Sequence, residues 1–128
     1  MPVSELTEDA VVRIAPEASL EEVADALVSG EIGVLLVGDE PAVSGIISER
    51  DLVRAVSKRL DLRTTRAIDV ANVSLVWCDA TATIDEVAAE MMEHYVRHVL
   101  VEEDGRLVGV VSARDLLGAY AAGGADID

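Results

Sequence analysis

The chain has 128 residues, the usual size of one compact domain, and 51% of them are hydrophobic. Its formal net charge of −15 argues against general nucleic-acid binding, because that activity requires a basic surface for the phosphate backbone. No apolar run approaches the ~20 residues that span a bilayer. No basic leader precedes an apolar stretch, and the single cysteine, Cys78, cannot form an internal disulfide. We therefore expect a soluble cytoplasmic protein that binds neither nucleic acid nor membrane.

The basic residues are concentrated in the middle of the chain. Lys and Arg total 10 against 25 acidic residues, yet six of the ten fall within residues 50–66. These six are Arg50, Arg54, Lys58, Arg59, Arg63 and Arg66. If the protein binds an anion, this local charge must act against the acidic field of the whole molecule.

Two amphipathic helices are predicted, one at the same place in each half. Residues 19–22 and 83–86 each place a hydroxyl side chain three residues before a glutamate, which is the pattern of a capping box. The apolar residues that follow recur with the period of one helical face. They are Leu20, Val23, Ala24, Leu27 and Val28 in the first half, and Ile84, Val87, Ala88, Met91 and Met92 in the second. We expect Gly30 to terminate the first helix and the second to end near His94.

Each of these helices precedes two predicted strands and a closing helix. The strands are expected at residues 34–37 and 43–48 in the first half, and at 99–101 and 107–112 in the second. Turns at 38–41 and 104–105 separate them, the latter an Asp-Gly hairpin signal. The closing helices are expected at 49–59 and 113–122. With the short strand that opens each half, the order is β-α-β-β-α twice, which is an α/β (α+β) fold.

The strand–helix junction of the first half recurs in the second. Residues 45–52 read GIISERDL and residues 109–116 read GVVSARDL, an offset of 64. We therefore expect a first repeat with its linker at 1–64, a second repeat at 65–122 and a loose acidic tail at 123–128. Because neither half of roughly 60 residues buries much surface alone, we expect the two repeats to pack about a pseudo-twofold axis.

The duplicated unit, closed each time by Gly-hydrophobic-hydrophobic-Ser-x-Arg-Asp, resembles a pair of CBS domains (a Bateman module) over residues 3–122. It is also similar to small stand-alone CBS-pair proteins, including the actinobacterial hypoxic-response type. The resemblance implies a non-enzymatic regulatory module, expected to be a homodimer. It would bind AMP, ADP, ATP or an adenosyl compound such as S-adenosylmethionine in clefts between the repeats. It also implies an unidentified regulated protein and no cofactor beyond that ligand.

By this resemblance, the motif residues are candidate ligand contacts. Asp51 and Asp115 would bind the ribose hydroxyls, since a carboxylate accepts both hydrogen bonds of a diol. Ser48 and Ser112 would meet a phosphate or ribose oxygen at a helix N-terminus, where the helix dipole favours an anion. The base would be bordered by Ile46, Ile47, Val110 and Val111, and charge-assisted phosphate contacts would come from Arg50 and Arg114.

The two copies of the motif are not chemically equivalent. Arg97 and His98 precede the second repeat's strand, where many CBS sequences carry polar ligand contacts. The first repeat has Gly33 and Val34 at the matching positions. We therefore expect the second copy, at residues 112–115, to bind the ligand better.

Two alternatives remain open. Both Ser-x-x-Asp pairs are also explained as helix caps without a ligand, which would make the chain a structural protein-interaction module with vacant clefts. A small metalloenzyme would depend on His94, His98 and Cys78, but a helix that ends near His94 does not hold the two histidines in metal-binding geometry. No catalytic constellation stands out, so we expect no enzyme activity and no metal site.

Overall fold

The computed structural model describes residues 1–7 and 11–123. The predicted acidic tail lies outside them apart from Gly123, the last residue of a helix. The elements are, in chain order, a 3₁₀ turn at Val3–Leu6, β1 (Arg13–Ile14), α1 (Leu20–Gly30), β2 (Val34–Val37), β3 (Gly45–Ser48), α2 (Glu49–Ser57), α3 (Ala67–Val70), β4 (Trp77–Asp79), α4 (Ile84–His94), β5 (His98–Glu103), β6 (Arg106–Ser112) and α5 (Ala113–Gly123). The predicted β-α-β-β-α order is confirmed in both halves.

Each compact unit includes the leading segment of the other repeat, by which we mean the described residues of 1–11 in the first repeat and residues 65–75 in the second. One unit spans Val12–Leu75, and the other takes its described residues from 1–7, 11 and 76–123. The short helix α3 therefore belongs to the first unit, where Ala67 is fully buried in the core. The N-terminal 3₁₀ turn belongs to the second, where Val3 is fully buried. The boundaries of the compact units thus differ from those of the sequence repeats.

In the unit at Val12–Leu75, β1 pairs with β2 in parallel and β2 pairs with β3 antiparallel. Leu35 lies opposite Ile47, and both are buried in the core, while their strand neighbours lie on the other sheet face because side chains alternate. The core consists of Leu20, Val23, Leu27, Leu35, Val37, Ile47, Ala55 and Ala67.

The other unit repeats this arrangement. β4 pairs with β5 in parallel and β5 pairs with β6 antiparallel, with Val99 opposite Val111. Its core consists of Val3, Ala80, Ile84, Val87, Met91, Val99, Val101, Val111 and Leu116. Both cores are built from aliphatic residues, with one methionine in the second, in a sequence that has no phenylalanine.

The glycine that opens each motif is explained by the leading segment that passes close to it. A Cβ atom on Gly45 would lie 2.9 Å from the carbonyl oxygen of Asn72, and one on Gly109 would lie 2.4 Å from Cβ of Thr7. The amide of Ile46 donates to the carbonyl of Asn72 at 3.0 Å, and the reverse bond is 2.8 Å. Glycine is therefore needed here for close backbone approach.

The N-terminal caps of α1 and α4 follow the predicted pattern to different extents. The Oγ atom of Ser19 accepts the amide of Glu22 at 3.2 Å. Thr83 and Glu86 form the full reciprocal capping box. No helix in the described part of the chain is both long and apolar enough to cross a membrane.

The prediction that α1 ends at Gly30 is confirmed, but the left-handed residue that closes the helix is the next one, not the glycine. Gly30 is the last helical residue, and Glu31 takes the left-handed conformation with φ 52°. The amide of Glu31 satisfies the carbonyls of the final turn. Tyr95 has the same role after α4, with φ 55°, so that helix ends at His94 as predicted.

Candidate ligand-binding site

The first motif is a closed hydrogen-bonded cap at the start of α2. The amide of Ser48 donates to Oδ2 of Asp51 at 2.7 Å, and the Ser48 hydroxyl donates to the same oxygen at 3.0 Å. The Oδ1 atom of Asp51 lies 3.6 Å from Nη1 of Arg54, and the Asp51 side chain is only 16% exposed. Both carboxylate oxygens of Asp51 therefore have partners within their own unit.

The second motif, at the start of α5, is more open. The amide of Ser112 donates to Oδ2 of Asp115 at 2.8 Å, while the amide of Asp115 donates to Oγ of Ser112 at 3.0 Å. The Ser112 hydroxyl acts as an acceptor here and retains its own hydrogen for another partner. Asp115 is exposed, and no further hydrogen bond or ion pair reaches it from the described residues.

The sheet register adds a second difference between the motifs. His98 lies directly opposite Ser112 in the β5–β6 pair, whereas Val34 lies opposite Ser48 in the β2–β3 pair. Residues directly opposite each other lie on the same sheet face with their Cβ atoms about 5 Å apart. Arg97, immediately before β5, is exposed. The second motif therefore has an imidazole beside it and a guanidinium next to that in the chain.

The four apolar candidates divide between the two faces of their sheets. Ile47 and Val111 are 0% exposed within the two cores, so a base does not reach them in this structure. Alternation along the strand places Ile46 and Val110 on the opposite face, where Ile46 is 7% exposed and Val110 is half-buried. Only Ile46 and Val110 are retained as candidate base contacts.

The two motif arginines lie in the first turns of their helices. Arg50 follows Glu49 at the start of α2, and Arg114 follows Ala113 at the start of α5. Both are exposed, and within residues 1–7 and 11–123 neither side chain forms a hydrogen bond or an ion pair. Their positions suit a phosphate held at the same helix N-termini.

The two histidines do not form a site together with the cysteine. His94 ends α4 and His98 begins β5. Among the described residues, the group whose potential metal-ligating atoms lie within 4.8 Å of one another is Glu90, Glu93 and His94. His94 Nε2 lies 3.2 Å from a Glu90 oxygen, a pair that is charged when the imidazole is protonated.

The environment of Cys78 disfavours the thiolate form of its side chain. Burial of the thiol and the carboxylates of Asp79, Glu90 and Glu102 raise its pKa to about 11. The thiolate, which is the reactive form, is therefore scarce. This argues against covalent chemistry at that position.

A family model described as the CBS domain matches residues 3–58 and matches again at residues 67–122. The chain belongs to the CBS domain family. The two matches correspond to the two sequence repeats, and each CBS domain contributes one three-stranded sheet. The predicted family and the predicted tandem α/β fold are both confirmed.

The chain is similar in sequence or in structure to the following proteins. Hypoxic response protein 1 of Mycobacterium tuberculosis (strain ATCC 25618 / H37Rv) is 38% identical over 88 residues, covering 67% of this chain. The match spans 62% of that relative, less than two thirds of its length. CBS domain protein PAE2072 from Pyrobaculum aerophilum, complexed with AMP, is 32% identical with a TM-score of 0.78, covering 95% of this chain and 99% of that one. The crystal structure of Hypoxic Response Protein I with two coordinated zinc ions is 29% identical, with a TM-score of 0.73 and coverage of 92% and 98%.

Proposed function

We propose that the chain is a non-catalytic regulatory module that binds an adenosine nucleotide through its Ser-x-x-Asp motifs. The observation that carries this proposal is the second motif, where an exposed Asp115 carboxylate lies beside a donor-competent Ser112 hydroxyl and Ser112 lies opposite His98. The similarity to PAE2072, which is complexed with AMP, supports the ligand class.

The roles in the second motif follow from its hydrogen bonds. Oδ2 of Asp115 already accepts the Ser112 amide, so Oδ1 is the atom that would accept a ribose hydroxyl. The Ser112 hydroxyl would donate to a phosphate oxygen at the N-terminus of α5. Arg97 and Arg114 would supply charge-assisted contacts to the phosphate, and Val110 would border the base. AMP, ADP, ATP and S-adenosylmethionine are the candidate ligands.

The first motif would bind more weakly by the same reasoning. A ligand there would compete with the Ser48 hydroxyl for Asp51 and would share the carboxylate with Arg54, 3.6 Å away. Ser48, Arg50, Asp51 and Ile46 would nevertheless contribute the corresponding contacts. With 2% aromatic residues in the chain, aliphatic side chains would border the base, and the lost stacking favours moderate affinity at both motifs.

We further propose that the module is a homodimer and transmits its occupancy to a separate, regulated protein. Two observations support the homodimer and the regulatory role. The sequence has no recognisable catalytic group, and the chain resembles regulatory CBS pairs. The proposal includes no cofactor other than the ligand.

The second candidate function is an interaction module whose motifs hold no ligand. The closed cap at Ser48 and Asp51 favours it, because capping alone accounts for that motif. Exposed apolar side chains favour it as well, since Met92 is 78% exposed and Tyr95 is 96% exposed.

Mass spectrometry of small molecules released from the purified protein distinguishes the two functions. We expect an adenosine compound, or a saturable thermal shift on adding AMP, ADP, ATP or S-adenosylmethionine. The matched control is the Ser112→Ala/Asp115→Ala variant, in which the response should fall sharply. A protein that releases no nucleotide and shows no shift with any of the four would sustain the interaction module instead.

A further inference from the structure

The strand–helix junction of the first motif carries an acidic side chain where the second motif carries a basic one. The amide of Glu49 donates to the carbonyl of Gly33 at 3.0 Å, and the amide of Ala113 donates to the carbonyl of Arg97 at 2.8 Å. The residues of one pair are related to those of the other by the offset of 64. The two junctions therefore share a backbone hydrogen bond, and their side chains can be compared position by position.

The Glu49 side chain folds back over Gly33. One carboxylate oxygen of Glu49 lies 2.9 Å from the place that a Cβ atom on Gly33 would take. Glu49 is exposed, and no hydrogen bond or ion pair reaches its carboxylate from the described residues. A negative charge without a cationic partner therefore lies at the N-terminus of α2, one residue after Ser48.

The second motif reverses this arrangement. Ala113 has no charge, whereas Arg97 is exposed, and no hydrogen bond or ion pair holds its side chain within residues 1–7 and 11–123. Arg50 and Arg114 occupy equivalent positions in the first turns of α2 and α5, so they do not distinguish the motifs. The difference at the junction is a carboxylate in the first motif and a guanidinium in the second.

The other charged groups near the motifs do not cancel this difference. Arg54 has Gly118 as its counterpart, but its guanidinium lies 3.6 Å from a carboxylate oxygen of Asp51 and forms an ion pair with it. The charged groups of the first motif are Glu49, Arg50, Asp51 and Arg54, and those of the second are Arg97, Arg114 and Asp115. The charges of the first motif therefore balance, whereas the second motif has one positive charge in excess.

We propose that Glu49 makes the first motif selective for an adenosine compound whose 5′ group carries no negative charge, such as adenosine or S-adenosylmethionine. The helix N-terminus that would receive a phosphate there has a carboxylate beside it, and like charges repel. The second motif, with Arg97 at the equivalent junction, selects phosphorylated ligands. The module then responds to two classes of adenosine compound, one at each motif. This selectivity rests on the adenosine-binding function proposed above.

Adenosine and AMP are the matched ligands for the test, because they differ only in the phosphate. Calorimetric titration of the Ser112→Ala/Asp115→Ala variant measures the first motif alone, and we expect it to bind adenosine more tightly than AMP. Adding Glu49→Gln to that variant should tighten AMP binding roughly tenfold, because it removes a negative charge near the phosphate. Adenosine binding should stay unchanged, and high salt should reduce the gain for AMP.

Exchange of the junction side chains tests the selectivity in both directions. Gly33→Arg/Glu49→Ala gives the first motif the junction of the second, and in the Ser112→Ala/Asp115→Ala variant it should reverse the preference from adenosine to AMP. Arg97→Gly/Ala113→Glu in the otherwise unchanged chain should weaken AMP binding at the second motif and leave adenosine binding unchanged.

Glu21→Gln is the control for the change in net charge. Glu21 lies in the first turn of α1, which is separated by ~14 Å of helix from the end that leads to Gly33. Its replacement should leave the AMP affinity of the first motif unchanged. Thermal unfolding verifies that each variant is folded, and Glu49→Gln, which preserves the shape of the side chain, replaces the double exchange if that variant does not fold.

The outcomes separate the selectivity from adenosine binding itself. A Glu49→Gln variant that changes AMP and adenosine binding alike, or changes neither, would overturn the proposal and leave the adenosine-binding function in place. An equal gain from Glu21→Gln would do the same, as would a first motif that binds neither ligand although the wild-type chain binds one. A wild-type chain that binds no adenosine compound contradicts the proposed function, and the selectivity with it.

Discussion

Replacing Asp115 by alanine is expected to weaken AMP binding more than replacing Asp51. Oδ2 of Asp115 accepts the Ser112 amide, and Oδ1 is left for a ribose hydroxyl. A hydrogen bond to a charged group contributes about 1.5–3 kcal/mol. Its loss therefore corresponds to a roughly 10- to 150-fold rise in Kd, at one tenfold step for each ~1.4 kcal/mol.

The smaller effect expected for Asp51 comes from the bonds that its carboxylate already forms within its own unit. Asp51 accepts both the amide and the hydroxyl of Ser48, and Arg54 lies 3.6 Å away. A ligand hydroxyl would exchange for one of these partners instead of filling an open position. Such an exchange contributes below about 1 kcal/mol, so Asp51→Ala should raise Kd by roughly 5-fold or less.

Isothermal titration calorimetry with AMP at one fixed salt concentration measures this asymmetry. Both substitutions remove a helix cap worth about 1 kcal/mol of stability. Thr83→Ala is therefore the matched control, because it removes a cap of α4 outside the motifs. Asp115→Asn retains an acceptor for the Ser112 amide but loses the charge, and it should fall between wild type and Asp115→Ala. Equal losses for Asp51→Ala and Asp115→Ala, or a larger loss for Asp51→Ala, would refute the reasoning.

Three further predictions concern stability and reactivity. Gly109→Ala should destabilise the fold by roughly 1–3 kcal/mol through overlap with the leading segment, whereas Gly118→Ala, whose Cβ meets nothing within 4 Å, should stabilise α5 by up to about 1 kcal/mol. Calorimetric unfolding that showed the same sign for both would contradict this. Because the pKa of Cys78 is raised to about 11, its alkylation at pH 8 should be on the order of 100-fold slower than that of free cysteine, and urea should abolish the difference. The hydrogen bond from Arg66 lowers the pKa of Asp69, so the stability it contributes is present above the ordinary aspartate pKa and is lost as pH falls through the lowered value. The difference in melting temperature between wild type and Asp69→Asn should therefore shrink at acid pH, and a constant difference would count against the assignment.

The helices and strands were predictable because their signals are local. The hydroxyl caps predicted where α1 and α4 begin, and the apolar face predicted which side of each helix is buried. The Asp-Gly pair predicted the second hairpin, and Asp104 and Gly105 both have positive φ there. The end of α1 at Gly30 was predictable, but the left-handed residue was not, because Glu31 takes a conformation that the sequence rule assigns to glycine.

The exchange of leading segments was not predictable, because it depends on contacts between residues far apart in the chain. Its only local signal was the glycine that opens each motif, and the sequence alone does not say which segment approaches it. The structure supplies the answer in Asn72 near Gly45 and in Thr7 near Gly109.

The candidate site was predictable in composition but not in bonding. The motif located both caps, and strand alternation already separates Ile46 from Ile47, a signal the sequence interpretation did not use. The bonding of each serine hydroxyl depends on its surroundings: in the first motif the hydroxyl donates to the carboxylate in addition to its place in the capping box, whereas in the second it accepts the amide of Asp115. Arg54, which contacts Asp51, was recognised only as part of a basic cluster.

The most direct test of nucleotide binding is calorimetric titration of the purified wild-type protein, beside Asp51→Ala/Asp115→Ala, with AMP, ADP, ATP and S-adenosylmethionine. We predict saturable binding of at least one of these ligands to wild type, and loss of most of that affinity in the double variant. No heat and no thermal shift with any of the four ligands would contradict the proposal that the chain binds an adenosine compound.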